Sequence, residues 1–125
     1  MPTPIRITAG DIQVEAELNE GPTARAVAGA LPIKGQARRW GQEIYFAIPV
    51  KAKLEKEARE VVQAGEIGYW PTGSAFCLFF GPTPASRGDE IRAASAVTII
   101  GRIRSDFSRL TEVAEGETVF IEKCD

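Results

Sequence analysis

The chain has 125 residues, 44% apolar and 26% charged, which fits one domain with a sizeable core and excludes disorder over the whole chain. Its net charge of −2, with basic and acidic residues interspersed, lacks the concentrated positive surface that nucleic-acid binding requires. Histidine is absent, which removes Ser-His-Asp and Cys-His catalysis, histidine-ligated zinc and an imidazole proton shuttle.

Met1 to Arg6 shows no charged segment leading into an apolar stretch, and no apolar run approaches the ~20 residues of a membrane helix. A soluble, cytoplasmic protein without membrane contact is therefore expected. Cys77 and Cys124 are isolated thiols without CxxC spacing, so neither a disulfide framework nor a zinc knot is expected. Cys77 lies in an apolar run and reads as a small buried side chain.

Ile5, Ile7 and Ala9 alternate with polar neighbours, and Ile12, Val14, Ala16 and Leu18 alternate again after Gly10-Asp11. This predicts two half-buried strands joined at a tight turn. Asn19 to Pro22 breaks the pattern and Thr23 is placed to cap a short helix. Ala24, Val27, Ala28 and Leu31 then share one small apolar face, until Pro32 ends it.

Ile33 to Trp40 reads as a third strand, interrupted at Gly41. In the strand Glu43 to Pro49, Ile44, Phe46 and Ile48 fall on one face and Glu43, Tyr45 and Ala47 on the other. Lys51 to Gln63 reads as extended chain, then a loop or helical turn ending at Gly65, since Glu55–Arg59 and Lys56–Glu60 have helical i,i+4 spacing. Strands are expected over 66–71 and 75–80, flanking the turn Pro71-Thr-Gly-Ser74. Gly81 to Ser86, with two prolines, is a stiff loop. Ala96 to Ile103 is a further strand, Asp106 to Val113 a short helix and Thr118 to Glu122 the last strand. About eight short strands with two short helices favour a barrel over a helix-covered parallel sheet.

Several runs of residues carry a family resemblance. The run Gly73 to Phe80 resembles the Gly-Ser-Gln-Phe-Phe segment of cyclophilins, and Ala96 to Arg104 is similar to their Val-Val-Phe-Gly-Lys-Val strand. More specifically, Trp40-Gly-Gln-Glu43-Ile-Tyr45-Phe, Gly68-Tyr-Trp70-Pro71 and Phe79-Phe-Gly81-Pro-Thr-Pro84 resemble the small cyclophilin-like proteins of bacteria and archaea. The resemblance runs from about residue 4 to 123. It implies a single mainly β domain over residues 1–125, a closed eight-stranded cyclophilin-like barrel with two short capping helices. It leaves the chemistry open, because fold and function are separable.

Cyclophilins proper isomerise peptidyl-proline bonds, with an arginine polarising the twisted amide. Arg38 or Arg39 lies where that arginine would fall, and Phe79 is a candidate pocket wall. The Phe-His-Arg and Gln-Gly-Gly motifs are missing, so the resemblance implies a barrel without the usual isomerase residues, the alternative being an active peptidyl-prolyl isomerase that uses Arg38 or Arg39. The remaining chemistry-bearing residues point to a groove outside the barrel wall. Arg39, Trp40, Glu43, Tyr45, Trp70 and Phe79 are its candidate residues, a few polar groups among apolar walls, as a small molecule or peptide requires. The alternative for Arg39 and Glu43 is an exposed ion pair, which contributes only ~0–1 kcal/mol. Tyr69 is expected to point inward with Ile67, and Trp70 outward, toward a ligand or a homodimer partner. Ser74, Ser86 and Ser95 lack a base, and Glu60, Glu66, Asp89 and Glu90 lack metal-ligand spacing. No cofactor is expected.

Overall fold

The computed structural model describes residues 2–124. The alternating segments at the start form β1 (Thr3–Ala9) and β2 (Ile12–Leu18), joined by a two-residue turn in which Gly10 takes φ +62°. That left-handed value is open to glycine without steric cost. The helix α1 (Pro22–Ala30) follows and buries Thr23, Ala24 and Val27. Its cap differs from the expectation: Gly21 occupies the N-cap with no side-chain cap, and Thr23 lies inside the first turn. The free N–H groups there are met from outside the helix, Gly21 donating to Asn19 Oδ1 at 3.0 Å and Thr23 to Glu55 Oε2 at 3.0 Å.

The expected third strand divides into β3 (Ile33–Gln36) and β4 (Arg38–Arg39), with Ala37 between them. Then come β5 (Glu43–Ala47), β6 (Arg59–Val62), β7 (Glu66–Trp70), β8 (Ala75–Phe79), β9 (Ile91–Ile103) and β10 (Thr118–Lys123). The helix expected after residue 106 is a short 3-10 helix, Ser108–Glu112. The ambiguous stretch settles as a turn, Ala58 N–H donating to Glu55 O at 3.1 Å, followed by strand β6. The helical charge pairs do not form: Arg59 binds Glu66 and Glu60 binds Arg92. Cross-strand pairing with β9 outweighs the few tenths of a kcal/mol that a helical i,i+4 pair supplies.

The strands run β3-β10-β1-β2-β9-β7-β8-β5-β4, with β6 pairing β9 off this path. The eight-stranded closed barrel is thus corrected to a ten-stranded sheet whose ladder path is open among the described residues. Its two ends, β3 and β4, are consecutive in the chain, so Ala37 links them where no ladder does. Gly35 in β3 also leaves room for Phe46 of β5; a Cβ there would lie 3.0 Å from the ring's Cγ.

Two apolar layers result. The larger joins the inward residues of the path, among them Ile5, Leu18, Ile44, Phe46, Ile67, Tyr69, Phe76 and Ile100. Phe46 and Phe76 stack at 5.4 Å, and Tyr69 donates its hydroxyl to Val50 O at 2.6 Å. The smaller layer lies on the opposite face of β8, where Ala75, Cys77 and Phe79 pack with Val62, Ile91, Ala93 and Val97 of β6 and β9. β8 is consequently buried on both faces, which explains its unbroken apolar sequence.

Candidate functional site

The second layer does not fill the whole outer face. A cavity of about 200 Å³ remains, lined by Trp40, Glu43, Tyr45, Trp70, Ala93, Ala94 and Val97. Strand parity delivers Glu43 and Tyr45 to it, since Ile44 and Phe46 are committed to the main core. The Trp40 backbone N–H donates to the Glu43 carbonyl at 3.0 Å, closing the turn that joins β4 to β5. Trp70 ends β7, and its Nε1–H donates to Ser95 Oγ at 2.6 Å, fixing the indole against β9. Its ring meets Tyr45 edge-on, 6.4 Å between centroids at 84°.

Glu43 is the unusual member. It is 6% exposed, and no lysine or arginine among the described residues forms an ion pair with it. Burial pushes its carboxyl up to about 7, against a smaller opposing effect of the Cys77 thiol. Burial likewise drives the Cys77 thiol well above its ordinary range, with the nearby Glu43 charge adding to the effect. The thiol also donates to Ala75 O at 3.9 Å. A carboxyl of this kind at a cavity wall exchanges its proton near neutrality, which suits it to bind or to transfer one.

Of the six groove candidates, the structure brings Trp40, Glu43, Tyr45 and Trp70 together and leaves Arg39 and Phe79 off the lining. Phe79 is paired with Glu43 in register, yet is fully buried against Gly68 and Val97 beneath the cavity. Arg39 pairs with Ile44, not Glu43, so it emerges on the other face of the strand. There its guanidinium donates to Thr111 O at 3.1 Å, Val113 O at 2.7 Å and Gly41 O at 3.0 Å, and its Cζ stands 5.4 Å from the Phe80 ring centroid. The Arg39–Glu43 surface pair is absent for the same reason. Arg38 pairs with Tyr45 but is exposed and off the lining. Tyr69 and Trp70 do point to opposite faces, inward and outward respectively.

Arg39 is therefore a clamp between β4 and the 3-10 helix. Arg39→Ala is expected to cost about 1–2 kcal/mol in chemical denaturation, from lost hydrogen bonds and lost packing over Phe80. The cavity's tryptophan fluorescence should be unchanged; a collapse of that signal would place Arg39 in the cavity wall.

Sequence reasoning missed Ala93, Ala94 and Val97, which carry no chemical signal, and the contact of Cys77 with Glu43. Parity on β8 could have exposed the latter, since Cys77 alternates with the inward Phe76 and Leu78. Among the described residues no cluster of His, Cys, Asp and Glu is arranged to hold a metal ion, and no helix is long and apolar enough to cross a membrane.

A curled, mainly β sheet with an aromatic, carboxyl-bearing cavity on its outer face defines a fold class before it defines a reaction. The chain belongs to the cyclophilin-like family, whose model matches residues 3–122. It is similar to the hypothetical protein AF2241 from Archaeoglobus fulgidus, known from a solution structure, with 46% identity, TM-score 0.85 and coverage of 98% of this chain and 95% of that one. It shares its fold with McbB, solved in complex with tryptophan, at 12% identity and TM-score 0.68, covering 94% of this chain and 44% of that one. No curated protein matches the chain.

Proposed function

We propose that the chain acts as one cyclophilin-like domain that binds a small molecule in the outer cavity, with Glu43 as the polar anchor and Trp40, Tyr45 and Trp70 as the walls. The observation that carries this reading is a buried carboxyl, without a cationic partner among the described residues, facing a mostly apolar cavity. Burying such a group costs free energy, and a structure that serves packing alone would fill the space with an apolar side chain. Small-molecule sites characteristically combine apolar walls with a few convergent polar groups. The hydrogen bond from Trp70 to Ser95 supports the same reading, since a wall held in place loses little freedom when a ligand arrives.

The cavity's small volume favours a compact ligand over a peptide segment. The outward aromatics, read from sequence also as a homodimer surface, are partly covered by one another and by β9. Isomerase chemistry draws no support from the arginines, since neither lines the cavity.

The test is a fragment set titrated against labelled protein, read at the indole N–H signals of Trp40 and Trp70. Binders should shift both, and Trp70→Ala should weaken them about tenfold or more while the fold persists. A set in which no fragment moves either indole would sink the proposal.

A further inference from the structure

The composition of the cavity narrows the ligand beyond its size. Its lining holds one carboxyl, three aromatic rings and three small aliphatic residues, and no lysine or arginine. Aromatic faces carry negative charge density and attract cations, most strongly where water is excluded. A buried carboxylate without a cation is in deficit of the same kind of partner. Tyr45 and Trp70 meet edge-on at 84°, so two walls present differently oriented surfaces instead of a flat stack.

On that basis, and resting on the reading of the cavity as a binding site, we propose that its ligand is a small organic ammonium ion. Glu43 supplies the counter-charge and Trp40, Tyr45 and Trp70 enclose the alkylated nitrogen. A neutral ligand would leave the aromatic cage and the carboxylate without complement. An anionic ligand would meet Glu43 repulsively.

Binding a cation requires the carboxylate form, so affinity should rise with pH through about 7 as Glu43 ionises. Other titratable or charged groups on the strands around this face include Tyr45 on the same strand, Cys77 on β8, Arg38 on β4 and, on β9, Arg92, whose guanidinium is bound by Glu90 and Glu60. The β9 residues that line the cavity itself are Ala93, Ala94 and Val97. Arg38 is exposed and held off the lining, so it does not neutralise Glu43.

Choline and dimethylbutanol, its uncharged carbon isostere, have the same shape and separate the charge from the fit. Both would be titrated into the whole chain and followed by the Trp40 and Trp70 indole signals. Choline should bind about tenfold or more tightly than the isostere. Its affinity should fall about thirtyfold between about pH 8.5 and about pH 5.5, given an ionisation near 7, while the isostere's stays flat. Glu43→Gln should bring choline down to the level of the isostere without loss of the isostere's binding. Equal binding of the two probes, or choline binding indifferent to Glu43→Gln, overturns the ammonium assignment and leaves the cavity a site for neutral molecules. Indole signals moved by neither probe overturn the ammonium assignment, and the fragment titration then decides the cavity itself.

Discussion

Glu43→Gln should make the protein more stable above pH 7, by up to about 3 kcal/mol, because a buried carboxyl raised from 4.5 to about 7 penalises the ionised folded state by that amount. Between these values the folded protein holds a proton that the unfolded chain has released, so wild-type stability falls as pH rises through this window. The penalty is absent below about pH 4.5 and complete above about pH 7. Glutamine keeps the shape and stays neutral throughout. Denaturant titrations of both proteins should therefore give curves that coincide near about pH 4 and separate toward about pH 8. The groups with lowered carboxyls, Glu20, Glu90 and Asp106, are common to both proteins and cancel in the difference. Parallel curves over the whole range would mean that Glu43 is solvated in solution, and the cavity's anchor would be lost with it. Stabilisation by removal of a charge is the signature expected of a residue retained for binding.

Gly101→Ala should be nearly as large in the opposite direction. Gly101 sits in β9 between Leu18 of β2 and Ile67 of β7, where the two halves of the sheet path meet. A Cβ there would run into the Glu17 carbonyl oxygen and lie 3.2 Å from Glu17 C and Leu18 Cα. These are backbone atoms of a paired strand, so relief requires opening the β2–β9 ladder. Overpacking of this kind costs about 3 kcal/mol, or about 10 °C in Tm for a domain of this size. The same exchange at Gly29, an exposed position of α1 with nothing within 4 Å, should stabilise the protein by about 0.5 kcal/mol. Thermal melts of the pair give opposite signs if the β2–β9 junction is as tight as the geometry states. Similar melts would mean that β9 moves away from β2 at little cost.

Much of the local structure was legible because it is written in period and parity. The β1–β2 hairpin follows from alternation around Gly10, and α1 from the spacing of Ala24, Val27, Ala28 and Leu31. The division of β5 into a core face and a Glu43/Tyr45 face is also a matter of parity, which tertiary structure does not alter. Two readings failed where a non-local partner overrode a local signal. The charges around 55–60 have helical spacing but bind Glu66 and Arg92 across strands. Arg39 is four residues from Glu43, yet a turn intervenes, and the register Arg39–Ile44 puts the two on opposite faces.

By itself, then, the order of residues determined most of the strands, the helix, the family and which residues of β5 face away from the main core. Tertiary structure alone decided that those residues become a cavity. It brought Trp40, Trp70 and the alanines of β9 around Glu43 and kept every arginine off the lining. Register and the packing of β6 and β9 over β8 control that outcome, and both depend on contacts between segments far apart in the chain. Hydrophobic periodicity reports which face of a strand is buried, but it carries no information about which distant strand will cover it.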